Sequence, residues 1–287
     1  MKRMIYYAAA MAVLALGACS KDDSGSTTPT TPTPTPTPEP GKTQIAFTTQ
    51  IETTEGTTEE GFTAGDTFSL VAYDNAEGST SMDYTLGATA LYWEDLAFAT
   101  EGAKVHFSAC YPKHTLTEGG FDFTVTQDPS SDLLWATHAS VGVGTQEAVD
   151  LTFRHALHRL KVDIAVEDPT VDASQIEVSC TALSTCRVDL KEMRLMQGET
   201  QNTYTALGQS VEFMLLPQLT DIVTLEVKAG ELTQSWKLSE TDFPTPELEG
   251  GKQATVHLTI KDGRITLSGM TIAGWGDQGT VEDEIEM

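Results

Sequence analysis

From residue 43 onward the apolar residues recur at every second position, and that period admits strands and little else. Ile45, Phe47, Thr49 and Ile51 share one side of a first strand, Phe68, Leu70 and Ala72 follow a Gly65-Asp66 turn, and Val105, Phe107, Ala109 and Tyr111 repeat the pattern. Phe121, Phe123 and Val125 make a further short strand closed by Asp128-Pro129. Gly and Asp break nearly every interval, and no amphipathic helical stretch of useful length competes. The fold class is therefore all-β.

A change of composition at Val141-Gly-Val-Gly-Thr-Gln146 divides the chain. Beyond it Leu151, Phe153, His155 and Leu157 alternate, after which the phase slips to Leu160, Val162 and Ile164. The slip predicts a β-bulge near His158 and Arg159. Later strands read at 176–180, 211–215, 223–227, 232–238, 254–260 and 264–267, so the second half has a full set of its own. The spacing predicts two β-sandwiches in tandem, residues 42–147 and 148–287.

The N-terminus is of another kind. Lys2 and Arg3 precede an apolar run from Ile5 to Leu16, which ends in Leu16-Gly17-Ala18-Cys19. About twelve apolar residues rise only about 18 Å as a helix, against a hydrocarbon core of about 30 Å, so the run is too short to span a membrane. It is similar to a lipoprotein signal peptide, residues 1–18, with Cys19 as the lipidated residue after cleavage. Several acyl chains together give stable membrane attachment. Ser20-Lys21-Asp22-Asp23 is similar to a signal for the outer face of the outer membrane. Residues 25–41 are almost entirely Thr and Pro, a composition that stays extended, which makes 19–41 a lipidated stalk.

Seventeen basic against 42 acidic residues give a formal charge of -25, and such a field repels nucleic acid. Lipidation of Cys19 leaves Cys110, Cys180 and Cys186, an odd number that argues against a disulfide scaffold. Cys180 and Cys186 can bridge if Thr181 to Thr185 turns back. They cannot if the segment is one continuous strand, which would separate the sulfurs by about 20 Å.

No reaction centre is legible. Gly41-Lys42-Thr43 has Pro36 where a phosphate-binding loop wants Gly, and Gly142-Val-Gly144 has Glu147 in the third glycine position of a dinucleotide loop. His155 and His158 are three apart, but strand alternation sends them to opposite faces unless the bulge intervenes, and no third metal ligand is at hand. Neither acidic cluster, Glu55 to Glu60 or Glu282 to Glu286, has the alternating loop of a calcium site. Trp93, Trp135, Trp236 and Trp275 lie in apolar stretches, where core packing is the default and a sugar platform the alternative. The expectation is a protein without enzymatic activity, cofactor or metal.

Several local patterns then fall in order: Phe62-Thr-Ala-Gly-Asp66, Phe107-Ser-Ala-Cys-Tyr-Pro112, Asp132-Leu-Leu-Trp-Ala136, Phe153-Arg-His-Ala-Leu157, Leu215-Leu-Pro-Gln218, Gly250-Gly-Lys252 and Ile272-Ala-Gly-Trp275. Together with the Leu16-Gly17-Ala18-Cys19 lipoprotein signal they resemble the fimbrillin-like lipoproteins that build surface fimbriae in Gram-negative anaerobes. The resemblance implies two transthyretin-like β-sandwich domains and assembly with other fimbrial subunits by strand exchange. Ile45, Phe47 and Ile51 would belong to the exchangeable first strand, and Ile272, Trp275, Val281 and Ile285 to a donor segment. An unpaired sheet edge accepts such a strand, and a head-to-tail contact that does not close produces a filament.

Polymerising members look as if they are cleaved after Arg or Lys behind the first strand, yet no Lys or Arg occurs here between Thr43 and Ala103. A cut at Lys42 would free the lipid without removing that strand. The sequence thus points to a surface-exposed, lipid-anchored outer-membrane protein, a fimbrial subunit or fimbria-associated adhesin, with an anchor or terminal position favoured. A host or bacterial surface ligand stays open, as does the alternative of a glycan-binding lipoprotein that never polymerises.

Overall fold

The computed structural model describes residues 39–54, 57–128, 132–136 and 139–275. Cys19, most of the stalk, and Val281 and Ile285 of the expected donor segment lie outside the described residues. Among the described residues there is no α-helix, only strands and single 3-10 turns such as Trp93–Asp95, in agreement with the all-β expectation.

The strands before residue 156 are β1 (Phe47–Thr54), β2 (Thr57–Glu60), β3 (Thr67–Tyr73), β4 (Ser79–Thr85), β5 (Lys104–Tyr111), β6 (Gly120–Thr124), β7 (Leu134–Ala136), β8 (Ala139–Gly142) and β9 (Val149–His155). All but β6 form one sheet in the order β2-β1-β9-β7-β5-β3-β4, with β8 also paired to β5. The sheet curls on itself, so Phe47 of β1 meets Tyr84 of β4 edge-on at 4.9 Å and Phe107 of β5 at 5.2 Å. Phe68, Leu70, Phe107, Leu151 and Phe153 fill the interior and are fully buried. Each such side chain contributes about 1.5–3 kcal/mol by burial, which is why period-two alternation has to turn this face inward.

After residue 157 come β10 (His158–Val166), β11 (Glu177–Leu183), β12 (Thr185–Asp189), β13 (Arg194–Gln197), β14 (Gln201–Leu207), β15 (Ser210–Leu215), β16 (Gln218–Leu219), β17 (Thr224–Ala229), β18 (Leu232–Lys237), β19 (Glu247–Leu248), β20 (Lys252–Lys261) and β21 (Arg264–Gly274). Two four-stranded sheets, β15-β10-β20-β21 and β14-β11-β17-β18, enclose a second core. Leu160, Val162, Val256 and Leu258 enter it from the first sheet, and Val178, Cys180, Leu225 and Val227 from the other. Two lobes in tandem, each with its own core, are thus observed.

The connections between lobes differ from a simple division near residue 148. β9 pairs in parallel with β1, Leu151 opposite Thr49, and belongs to the first sheet. The chain leaves that sheet at Ala156-Leu157 and enters the next with His158, which pairs with Leu215. The phase slip at this point is a change of sheet and not the expected bulge. β6 crosses the other way: Phe121 lies opposite Val188 of β12, and Phe121, Phe123 and Val125 join the second core.

Cys180 and Cys186 lie in different sheets, Cys180 opposite Tyr204 and Cys186 opposite Gln197, and both thiols are free, as is that of Cys110. Burial pushes all three thiols up to about 12, which leaves almost no reactive thiolate near neutral pH. Alkylation with iodoacetamide at pH 8, mapped by mass spectrometry, is expected to leave Cys110, Cys180 and Cys186 unmodified in the folded protein and to label all three in denaturant.

Candidate functional site

The candidate first strand is an interior strand. β1 has β9 on one side and β2 on the other, and the residues just before it are held as well. The Ile45 amide donates to the Leu91 carbonyl at 2.8 Å, and the Thr43 carbonyl accepts from the Trp93 amide at 3.0 Å. Ile45 and Phe47 are buried in the first core and Ile51 packs half-buried against it. A strand held on both edges leaves an unpaired ladder behind if it is withdrawn, because the outward N–H and C=O groups of β9 lose their partners.

A second site is the junction where the chain passes between lobes. The Ala156 amide donates to the Leu133 carbonyl at 2.8 Å, tying the crossing to the segment before β7. The Gly251 amide donates to the Leu157 carbonyl at 2.8 Å, and the Trp275 amide to the Gly251 carbonyl at 2.9 Å. Gly251 sits at φ +72°, where a side chain is disfavoured, and a Cβ on Gly250 would stand 2.7 Å from the Ala156 carbonyl oxygen. The Gly250-Gly251 pair therefore lets two backbones touch where any larger residue would separate them.

Side chains lock the same place. The His155 ring stacks on the Trp275 indole at 4.2 Å with 5° between planes, and its Nδ1 is 2.6 Å from Asp132 Oδ2. The Arg159 guanidinium lies 5.7 Å from the centre of the Trp275 ring, its Nε donates to Gln253 Oε1 at 2.6 Å, and Glu212 is 3.6 Å away. Such cation–π contacts contribute about 0.5–2 kcal/mol. Beside them is a cleft of about 220 Å³ lined by Gln127, Asp132, Arg159, Glu212, Met214 and Trp275. The Gln127 side-chain amide both donates to and accepts from the Met214 backbone at 3.0 Å, standing in for a strand partner. His158 is turned away from His155, its Nδ1 donating to the Glu249 carbonyl at 2.8 Å, so the two do not converge on a metal. The arrangement holds position: the His155 ring of its His-Asp pair lies flat against an indole.

This junction gathers residues from Asp132-Leu133, His155-Ala156-Leu157, Gly250-Gly251 and Trp275, segments that lie up to half the chain apart. A family model described as fimbrillin-like matches residues 46–275, which takes in every one of them. The chain belongs to the fimbrillin-like family. Its fold is similar to that of a candidate cell adhesion protein of Bacteroides uniformis, with TM-score 0.64 and 18% identity over 83% of this chain and 100% of that one. A second, from Bacteroides ovatus, gives TM-score 0.60 and 16% identity over 82% and 98%. A fimbrial assembly protein of Parabacteroides distasonis gives TM-score 0.50 and 6% identity over 80% and 98%. No curated protein matches.

In this fimbrillin-like chain the expected donor segment begins inside its own subunit. Ile272 lies opposite Ala254 in the β20–β21 ladder and is 36% exposed, while Trp275 is clamped at the junction. The other indoles offer no open platform either: Trp93 and Trp135 are buried, and Trp236 packs half-buried against the second core.

One cluster was not legible from the sequence. Where the chain enters the first lobe, Lys42 Nζ is 2.8 Å from both Glu39 Oε2 and Asp95 Oδ1 and lies 5.1 Å from the Tyr92 ring centre. Bonds to Asp95 and Glu39 hold its ammonium well above the ordinary lysine range. Nothing in the spacing of Lys42 and Asp95 announces a contact, because Asp95 comes from the 3-10 turn between β4 and β5.

His158 is buried, and desolvation lowers it to about 4 against the usual 6.5, so it folds neutral. Its stabilising effect is complete above pH 6.5 and is lost as pH falls toward 4, where the unfolded chain binds a proton that the folded one rejects. Denaturant titrations at pH 7 and pH 4 should show the acid-induced loss of stability smaller by about 3 kcal/mol in His158→Gln than in the wild type.

Proposed function

We propose that this fimbrillin-like chain is a lipoprotein of the outer-membrane surface, anchored through Cys19, that acts as a fimbrial subunit or fimbria-associated adhesin assembled by β-strand exchange. Its position is that of an anchor or terminal subunit. The carrying observation is β1: it is laddered to β9 and β2, and no Lys or Arg follows it before Lys104. A protease specific for basic residues has no bond at which to strip this strand, so the subunit keeps its own first strand. A subunit that keeps it offers no vacated groove to a neighbour and suits the end of a filament.

The donor segment in this reading starts beyond Trp275, with Val281 and Ile285 as its apolar residues, because Ile272 is already engaged in β21. Partners are other fimbrial subunits and the membrane, through the lipid; a host or bacterial surface ligand would be bound without catalysis. Mass spectrometry of the mature N-terminus, on membrane-bound and surface-shed material, tests this assignment. Lipidated Cys19 alone points to an anchor or to a binding lipoprotein that never polymerises, whereas a new N-terminus beyond Ile51 shows that β1 is removed and assigns the chain to the polymerising subunits.

Phe47→Asp tests the docking of β1 itself. It puts a carboxylate between Tyr84 and Phe107, a desolvation penalty of several kcal/mol. Loss of the cooperative thermal transition of the first lobe is expected, and unaltered folding and assembly would count against the role given to β1.

A further inference from the structure

Lys42 is the one basic residue between Lys21 and Lys104. In that stretch it is the only position at which a lysine-specific endoprotease can act, and it lies between tether and first lobe. Such an enzyme needs the lysine side chain free to enter a pocket and several residues on either side extended along its own strand edge. Neither condition holds in the closed structure. The ammonium is held between Glu39 Oε2 and Asp95 Oδ1, both at 2.8 Å. On the tether side the backbone bends, with Gly41 at φ +83° and the Glu39 amide donating to Tyr92 Oη at 3.0 Å. On the lobe side the Thr43 amide, the nitrogen of the bond to be cut, donates to Glu94 Oε2 at 3.0 Å, and its carbonyl is taken by Trp93.

We propose that Lys42 is a guarded release site: the clasp of Glu39, Lys42, Tyr92, Glu94 and Asp95 must open before the Lys42–Thr43 bond can be hydrolysed, and the cut then frees the folded lobes intact. In the step, water adds across the amide, leaving a carboxylate on Lys42 and an ammonium on Thr43. The product begins two residues before buried Ile45 and retains the whole of β1, so neither core is breached. The clasp is only a partial barrier. Its ion pairs are substantially solvated, Lys42 being 32% and Asp95 39% exposed, and exposed pairs hold weakly. Local opening at residues 39–43 therefore needs far less free energy than unfolding of the lobe.

Release from a membrane depends on the lipid proposed at Cys19, but cleavage and its guarding do not, so the two are read separately. Detergent-solubilised full chain is digested with a lysine-specific endoprotease and the products are sequenced from their N-termini. A product beginning at Thr43 that keeps the native thermal transition is expected, formed more slowly than from a peptide of residues 36–48. Asp95→Asn, which removes one charge and keeps the shape, should speed its formation about fivefold. Equal rates in wild type and Asp95→Asn would overturn the guard. Absence of cutting at Lys42 in both, or a product without the native transition, would overturn the release site.

Discussion

Two parallel ladders hold the molecule together. β9 pairs with β1 and β10 pairs with β20, and each pair joins segments about a hundred residues apart in the chain. Parallel neighbours cannot be joined by a hairpin, so each ladder closes only after everything between its strands has been laid down elsewhere in the sheets. β9 and β10 are consecutive, with only Ala156 and Leu157 between them. The stretch from Val149 to Val166 is thus an inner strand of both lobes, and displacement of it would unpair two sheets at once.

The junction turns that covalent continuity into a fixed joint. A bare two-residue link would let the lobes swing. Here the Leu133 and Leu157 carbonyls, the close approach at Gly250-Gly251 and the contacts of Trp275 with His155 and Arg159 fix the crossing from several directions. β6 adds a second tie through its ladder with β12, and Tyr73 Oη donates to the Lys191 carbonyl at 2.9 Å across the same divide. A joint with this many ties resists swinging of one lobe against the other.

Much of this was legible in the residues. Alternation located Ile45 and Phe47, Phe68 and Leu70, Val105 and Phe107 on buried faces, because burial of one face is the largest favourable contribution a strand makes. Alternation says which side of a strand is apolar and nothing about which strand lies beside it. Hence Phe121 and Phe123 read as part of the first lobe although they pack in the second, and the slip at His155 to Leu160 read as a bulge although it marks a change of sheet. The junction was visible only as scattered short patterns, since Asp132, His155 and Trp275 meet through tertiary contacts that no local spacing encodes.

The placement of β1 also has a mechanical meaning. A pull applied at residue 39 meets the clasp first, where few and exposed contacts give way one after another. It then runs along the axis of β1, whose hydrogen bonds to β9 lie across that direction. Bonds arranged so are sheared together and not peeled singly, so the load is shared along the strand. The chain would yield a little slack at its entrance and then hold firm, the behaviour of a mooring line with a soft first length.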